Sequence, residues 1–424
     1  MYRYHRETVH SYHSVRNHPV QLDWAQQPGT FKHYPGQYER YRLDTIGAEG
    51  NFFHAIAGIT ARKEYPGGIY SLRANPSAGA LYPNELYFQA RGVEGLPDAV
   101  YHYDVEEHAA VLLYLLPENE GIEPLLGYRY EMKGYLFLLS AVYYRSAWKY
   151  RNRAFRYCLL DGGHLLGTIE ASALLKPHVV HVRYVIDRER LNRYFGFEGR
   201  EWFLSAAAVA VPRQHREVRA AEFTLPYAEA SGSFEAFPLI EEAYRETMQL
   251  GSCQKGLRPP RFDYRSERLH EVLLSRRSQR GFSGEVITKG QFNYLMEAMV
   301  QPVLTDCDEK ISIYAVVNRV LDMPPGLYHN GKYVRYGDLS GEAGYLCLGQ
   351  HALAGQSAVT YFLSSSGMNY QALYQTCGLI GHRLYIAANY LEIGCSGIGA
   401  YYDEEVNAFL GNEEMILYAL AVGK

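Results

Sequence analysis

Two stretches of this chain spell out one order of elements. Asp187 to Gly196 reads D-R-E-R-L-N-R-Y-F-G and leads into the apolar run Trp202 to Val211. Asp403 to Gly411 reads D-E-E-V-N-A-F-L-G and leads into Met415 to Val422. Each predicts a short helix capped by aspartate, closed by glycine and followed by a strand. Asn192 matches Asn407, and Gly163 matches Gly378 in a long apolar helix upstream, both pairs 215 apart (407 − 192 and 378 − 163). Ala141-Val142 matches Ala358-Val359 at 217 (358 − 141), and V-Y-H-Y from Val100 echoes L-Y-H-N from Leu327 at 227 (327 − 100). An offset that drifts but keeps its order is the mark of a duplicated domain with loop insertions.

Around this repeat, helices near 49–59, 155–175, 263–277, 288–300 and 370–393 mix with strands near 85–91, 135–145, 179–186, 357–363 and 413–422, an α+β class. Residues 1–45 read as a Tyr- and His-rich extension and 46–211 as a first domain. A linker punctuated by Pro and Gly spans 212–262, and 263–424 is the second domain. A chain of 424 residues, 47% hydrophobic and 14% aromatic, is not disordered and can bury a core without a disulfide. Its net charge of −4 leaves no global footprint for nucleic acid. No apolar run is long enough to span a membrane, and M-Y-R-Y-H-R does not open a signal segment. Six cysteines without a C-x-x-C pair suit reduced, mostly buried thiols and a cytoplasmic protein.

Three segments depart from scaffold. Arg276-Arg277-Ser278-Gln279-Arg280 ends an amphipathic helix; it is either a phosphate grip or a basic turn that complements the helix dipole. In Asn75 to Pro83, N-P-S-A-G-A-L-Y-P, two prolines fix the chain while small residues let backbone approach a flat ligand. Gly394 to Gly399, G-C-S-G-I-G, follows a long helix; its glycines predict positive φ and exposed N–H groups, or an ordinary helix C-terminus. His178-Val179-Val180-His181 has metal-like spacing only in a helix, and a strand would put the two histidines on opposite faces. His5, His10, His13 and His18 read as an aromatic, polar docking segment, so no metal is expected.

These segments resemble the FMN-dependent nitroreductase superfamily. Within it, Y-H-R-E-T-V-H-S-Y-H-S-V-R from Tyr4, L-D-W at 22–24 and K-Y-R-N-R-A-F-R-Y from Lys149 are similar to the SagB/ThcOx type, which oxidises azolines to azoles in modified peptides. The resemblance implies tandem nitroreductase-like domains forming an intramolecular pseudo-dimer with FMN as cofactor. It implies Arg276, Arg277, Ser278 and Arg280 on the phosphate, with Gly397, Ile398 and Gly399 in the glycine turn. Pro76, Ser77, Ala78, Gly79 and Leu81 would lie beside the flavin ring, and Lys149 and Tyr150 would transfer the proton. A small-molecule or modified-peptide substrate and a cyclodehydratase partner follow from the same resemblance, without nucleic acid or membrane; further oligomerisation is left open. NAD(P)H-dependent reduction of nitroaromatics or quinones, or a non-catalytic flavin-binding scaffold, are the alternatives.

One flavin site is expected rather than two. Aligning Asn51-Phe52 with Gln291-Phe292 at 240 (291 − 51) maps the grip back to Gly36 to Arg40, G-Q-Y-E-R. The offset then falls to 227 across the loop that would hold a second P-S segment. The second glycine turn would fall in L-L-K-P-H-V-V-H, 174–181.

Overall fold

The computed structural model describes residues 2–17, 21–65, 68–176, 178–251 and 253–424. They form two compact units. Unit N comprises Leu22–Pro260 and Pro302–Asp308; unit C comprises Met1–Gln21, Arg261–Gln301 and Glu309–Lys424. His18, one of the four histidines of the extension, lies outside the described residues, as does Pro177 of the 174–181 stretch.

Unit N is built on a nine-stranded sheet. Its strands are β1 (Arg40–Arg42), β2 (Asn84–Arg91), β3 (Ala99–Asp104), β4 (Ala109–Leu115), β5 (Tyr130–Ala141), β6 (His181–Arg183), β7 (Trp202–Glu217), β8 (Gln254–Gly256) and β9 (Thr305–Asp308). They lie in the order β1-β4-β3-β2-β5-β7-β6-β9-β8. Every residue of β2 is buried, as a central strand covered on both faces requires. Unit C carries a six-stranded sheet of β10 (Ser312–Val317), β11 (Gly326–His329), β12 (Lys332–Tyr336), β13 (Val359–Ser365), β14 (Gly394–Ile398) and β15 (Met415–Gly423). Their order is β12-β11-β10-β13-β15-β14.

The run β2 to β7 and the run β10 to β15 have one topology. In each, the strands lie in the spatial order third, second, first, fourth, sixth, fifth. The matched glycines sit inside two long helices buried along nearly their whole length, α2 (Ala154–Ala173) and α5 (Tyr370–Tyr390). Both helices are buried on all sides, polar side chains such as Asp161 and Arg383 included, and belong to a core. The two halves that carry the four sequence matches thus share one strand order.

Several local expectations change. Residues 143–145 leave the sheet, and helix α1 (Tyr143–Tyr150) precedes α2 where a strand end was expected. The stretch 212–262 is not bare linker: β7 runs on to Glu217, and Pro238–Thr247 is a helix with proline at its first turn. The first 45 residues contain the helices Tyr2–Glu7 and Tyr12–Asn17, and they divide between the units after Gln21. Asp187 caps helix α3 (Arg188–Tyr194) by accepting the Arg190 N–H. Asp403 does not repeat this. It is the first residue of helix α6 (Asp403–Leu410), and its carboxylate accepts the His10 N–H at 2.8 Å while its own N–H donates to the His10 carbonyl. Cys253 and Cys307 are not free thiols: β8 and β9 pair beside them and the two form a disulfide. The other four cysteines are free and buried. Among the described residues, no helix is long and apolar enough to cross a membrane.

The segment leading into unit N is anchored by a charge. Lys32 Nζ pairs with Glu201 at 2.5 Å, both side chains wholly buried. The rings of Tyr227, Phe197 and Tyr34 surround the ammonium at 4.7, 5.2 and 5.5 Å. The second Glu201 oxygen accepts the Tyr87 and Ser140 hydroxyls. Removing one partner of such a pair leaves the other charge buried and alone, a cost of about 3–5 kcal/mol. Lys32→Met should lower the urea-unfolding free energy by that amount, and adding Glu201→Gln should recover most of it. A loss below about 1 kcal/mol would show that this pair does not anchor the segment.

Candidate active site: two half-sites

In unit C, helix α4 (Ser266–Ser275) stops where Arg276 turns extended, at φ −51° and ψ 128°. The chain then runs beside β14: Ser278 bridges to Cys395 in parallel, and the Gln279 N–H donates to the Cys395 carbonyl at 3.0 Å. In an extended segment alternate residues share a face, so Arg276 and Ser278 line one side, and Arg280 follows at an exposed bend. Arg276 is buried over the Tyr385 ring, 5.2 Å from its centre. The Tyr385 hydroxyl shares a hydrogen bond with Ser278 Oγ at 2.8 Å and accepts the Gly397 N–H at 2.7 Å. Burial raises the pKa of this hydroxyl, so it stays neutral. Two segments that look independent in sequence are therefore one structure, joined by a tyrosine of α5.

Arg277 sits differently. Its guanidinium donates to the carbonyls of Leu274 and Arg276, at 3.2 and 2.6 Å, and caps the helix end. For this residue the helix-terminus reading holds. The glycine segment also differs from expectation: it is strand β14, paired antiparallel with β15, and none of its glycines has positive φ. Glycine is needed there for space. A Cβ at Gly397 would collide with the Tyr418 hydroxyl, and one at Gly394 would lie 2.6 Å from the Gln279 side chain. Ile398 belongs to the core beneath the sheet, packed with Val406 and Leu410 of α6 (Asp403–Leu410), and Gly399 follows the strand.

In unit N, the loop Pro76 to Pro83 holds three left-handed residues: Gly79 (φ 66°), Ala80 (φ 54°) and Tyr82 (φ 44°). For a residue other than glycine this costs about 1–2 kcal/mol. Bonds from several elements enforce it. The Tyr82 N–H donates to Ser77 Oγ at 2.9 Å, its carbonyl accepts from Arg145 at 2.9 Å, and its hydroxyl accepts the Arg73 N–H at 2.9 Å. Arg145 is buried against Glu85 at 2.5 Å, and Glu85 also meets His102 at 2.9 Å. Burial alone would raise the Glu85 pKa, but Arg145 and His102 outweigh it and hold the carboxyl well below its usual range. Asp161 of α2 accepts the Ser77 hydroxyl at 2.6 Å.

The loop meets the other predicted residues of this half. A Cβ on Gly79 would stand 2.8 Å from the Tyr150 hydroxyl and 3.2 Å from Lys149 Nζ. Both groups end α1, where Arg151 turns left-handed at φ 49°, and the Tyr150 ring packs on Tyr157 at 4.2 Å. Pro76, Ser77 and Ala78 are half-buried and Gly79 is exposed. Leu81 is 2% exposed and belongs to the core rather than to a ligand-facing surface.

The repeat shows what stands in unit N where unit C has its R-x-S-x-R strand. Val182 pairs with Ala207 as Cys395 pairs with Val422, and 422 − 207 = 215. On its outer side Val182 bridges in parallel to Thr305, as Cys395 does to Ser278. The place is thus taken by β9, T-D-C-D. Asp306 accepts the Tyr184 and Val185 N–H groups and pairs with Arg183 at 3.2 Å. The offset that maps the grip to Gly36 to Arg40 fails, because Arg40–Arg42 forms β1 at the opposite edge.

Residues 273–424 match the Nitroreductase family model. The "Putative nitroreductase MJ1384" of Methanocaldococcus jannaschii is 36% identical over 125 residues, which cover 28% of this chain. The chain spans 59% of that relative's length. The crystal structure of a "putative nitroreductase" from Anabaena variabilis superposes with a TM-score of 0.82 at 24% identity, covering 100% of this chain and 99% of that one. The fold is shared along the whole chain.

Tyr385 carries the first half-site. Tyr385→Phe keeps the ring under Arg276 but leaves the Gly397 N–H and Ser278 without their shared partner. It should lower stability by about 1–3 kcal/mol in chemical denaturation. An unchanged midpoint would mean that the two segments are held together by other contacts.

Proposed function

We propose that the chain is an FMN-dependent oxidoreductase of the SagB/ThcOx type, oxidising azoline rings to azoles in a modified peptide. The observation that carries this reading is the meeting of Gly79, Lys149 and Tyr150 in one unit. A second observation, in the other unit, is the R-x-S-x-R segment over Tyr385. A buried guanidinium, a hydroxyl and a second arginine are a donor set suited to a phosphate monoester. The small, exposed Gly79 within a rigid loop suits close approach of a flat ring. FMN, when bound, supplies the two-electron acceptor. The two groups of residues lie in different units.

Oxidation of an azoline removes a hydride and a proton from the ring. Lys149 is assigned the proton: its neutral amine takes it, with the Tyr150 hydroxyl beside it to hold the substrate or relay the charge. Ser77 and Ala78 keep the loop still, and Arg276, Ser278 and Arg280 fix the phosphate. Arg277 is left to the helix end. A cyclodehydratase that makes the azoline is the partner this substrate calls for. A second reading, NAD(P)H-dependent reduction of nitroaromatics or quinones, is favoured by the names of the relatives.

The two readings separate in one variant. Lys149→Ala should slow azoline oxidation by about 10²–10⁴-fold, leaving flavin content and nitro-compound reduction unchanged. Equal loss in both reactions, or loss in neither, would contradict the assignment. For the phosphate, Arg276→Ala and Arg280→Ala should each weaken FMN binding by roughly tenfold to a hundredfold, read by flavin fluorescence. Full flavin retention in both would place the phosphate elsewhere.

A further inference from the structure

Asp161 lies in α2, 4% exposed, against the loop that carries Gly79. Its carboxylate accepts the Ser77 hydroxyl at 2.6 Å and the Ala78 N–H at 3.2 Å from each oxygen. Ser77 Oγ in turn accepts the Tyr82 N–H at 2.9 Å. One carboxylate therefore ties both ends of the stretch that contains the left-handed residues 79, 80 and 82. Glu85, buried nearby in sequence, has Arg145 and His102 to balance it, whereas no cation among the described residues pairs with Asp161. A buried carboxyl without a counter-charge is costly, and structural networks normally neutralise it.

We infer that Asp161 is a positioning residue of the proposed site: its ionised carboxylate locks residues 77–82 so that Gly79 meets Tyr150 and Lys149, and protonation releases the loop. The consequence for catalysis rests on the proposed function, but the lock is a property of the cofactor-free chain. Burial pushes the Asp161 carboxyl up to about 7, against the lowering by Ser77 and Ala78. On its own helix Tyr157, Cys158 and His164 stand within about one turn, and the Cys158 thiol is raised by burial and by Asp161 and stays neutral. Across the loop stand Lys149 and Tyr150 at Gly79, and behind Tyr82 the paired Arg145 and Glu85. A carboxyl raised in the folded state binds its proton more tightly there than in the unfolded chain. Acidification from about pH 7 toward about pH 4 therefore stabilises the fold while it undoes the lock.

Amide exchange at Ala78 and Tyr82 in the cofactor-free chain tests this, corrected for intrinsic rates between about pH 6 and about pH 8. Protection should fall roughly tenfold or more on acidification, the value of one lost hydrogen bond, with a midpoint at about 7. Asp161→Asn should show the low protection throughout and no midpoint. Ser77→Ala should expose Tyr82 while Ala78 keeps its midpoint; should Asp161→Asn fail to fold, this variant and the wild-type profile decide. Protection independent of pH in the wild type, or a wild-type profile in Asp161→Asn, would overturn the inference. A lock that behaves as described in a chain that takes up no FMN would instead overturn the proposed function alone.

Discussion

What runs along the outer edge of the fifth strand of each six-strand run differs in charge between the two units. In unit C that neighbour is R-R-S-Q-R, parallel to β14 at Ser278, and its extended backbone turns Arg276 and Ser278 to one side. In unit N the neighbour is T-D-C-D, parallel to β6, and it brings carboxylates instead. The two sheets share one topology, so the contrast is one of side chains at a fixed position rather than of fold. A phosphate placed against Asp306 would meet a charge of its own sign, and Arg183 is already spent on that carboxylate.

The rest of unit C serves that edge. Glycine at 394 and 397 lets β14 pack close to Gln279 and Tyr418, and Tyr385 fastens the strand from below. In unit N the comparable work falls to buried charge. Arg145, Glu85 and Asp161 hold a loop with three left-handed residues, and the loop in turn brings Gly79 to the end of α1. Bonds from several elements hold the strained residues Ala80 and Tyr82 in place.

The duplication and the α+β class were legible from sequence because Asn192 and Asn407, with their flanking glycines, recur at a near-constant offset. The R-x-S-x-R and P-S segments were legible as chemistry because arginine forks and small-residue loops are uncommon in plain scaffold. Other features were not. The glycines at 394 and 397 looked like a turn because glycine permits positive φ, yet close packing demands glycine equally well and leaves the same letter. Tyr385 and Asp161 gave no signal beyond a polar tip in an apolar helix, since their partners lie in distant segments. Cys253 and Cys307 pair through strands too short to read, and cysteine spacing alone does not report connectivity. The drifting offset also misled: it mapped the grip to residues 36–40, although its spatial counterpart is supplied by 305–308 from the other half of the chain.

The central claim is that a duplicated fold keeps a single flavin-phosphate position, in unit C. Titration of cofactor-free protein with FMN, followed by flavin fluorescence and by absorbance against protein concentration, tests it most directly. The account predicts saturation at about one FMN per chain, abolished when Arg276 and Arg280 are both replaced by alanine. Saturation near two, or an unchanged single site in that double variant, would contradict it.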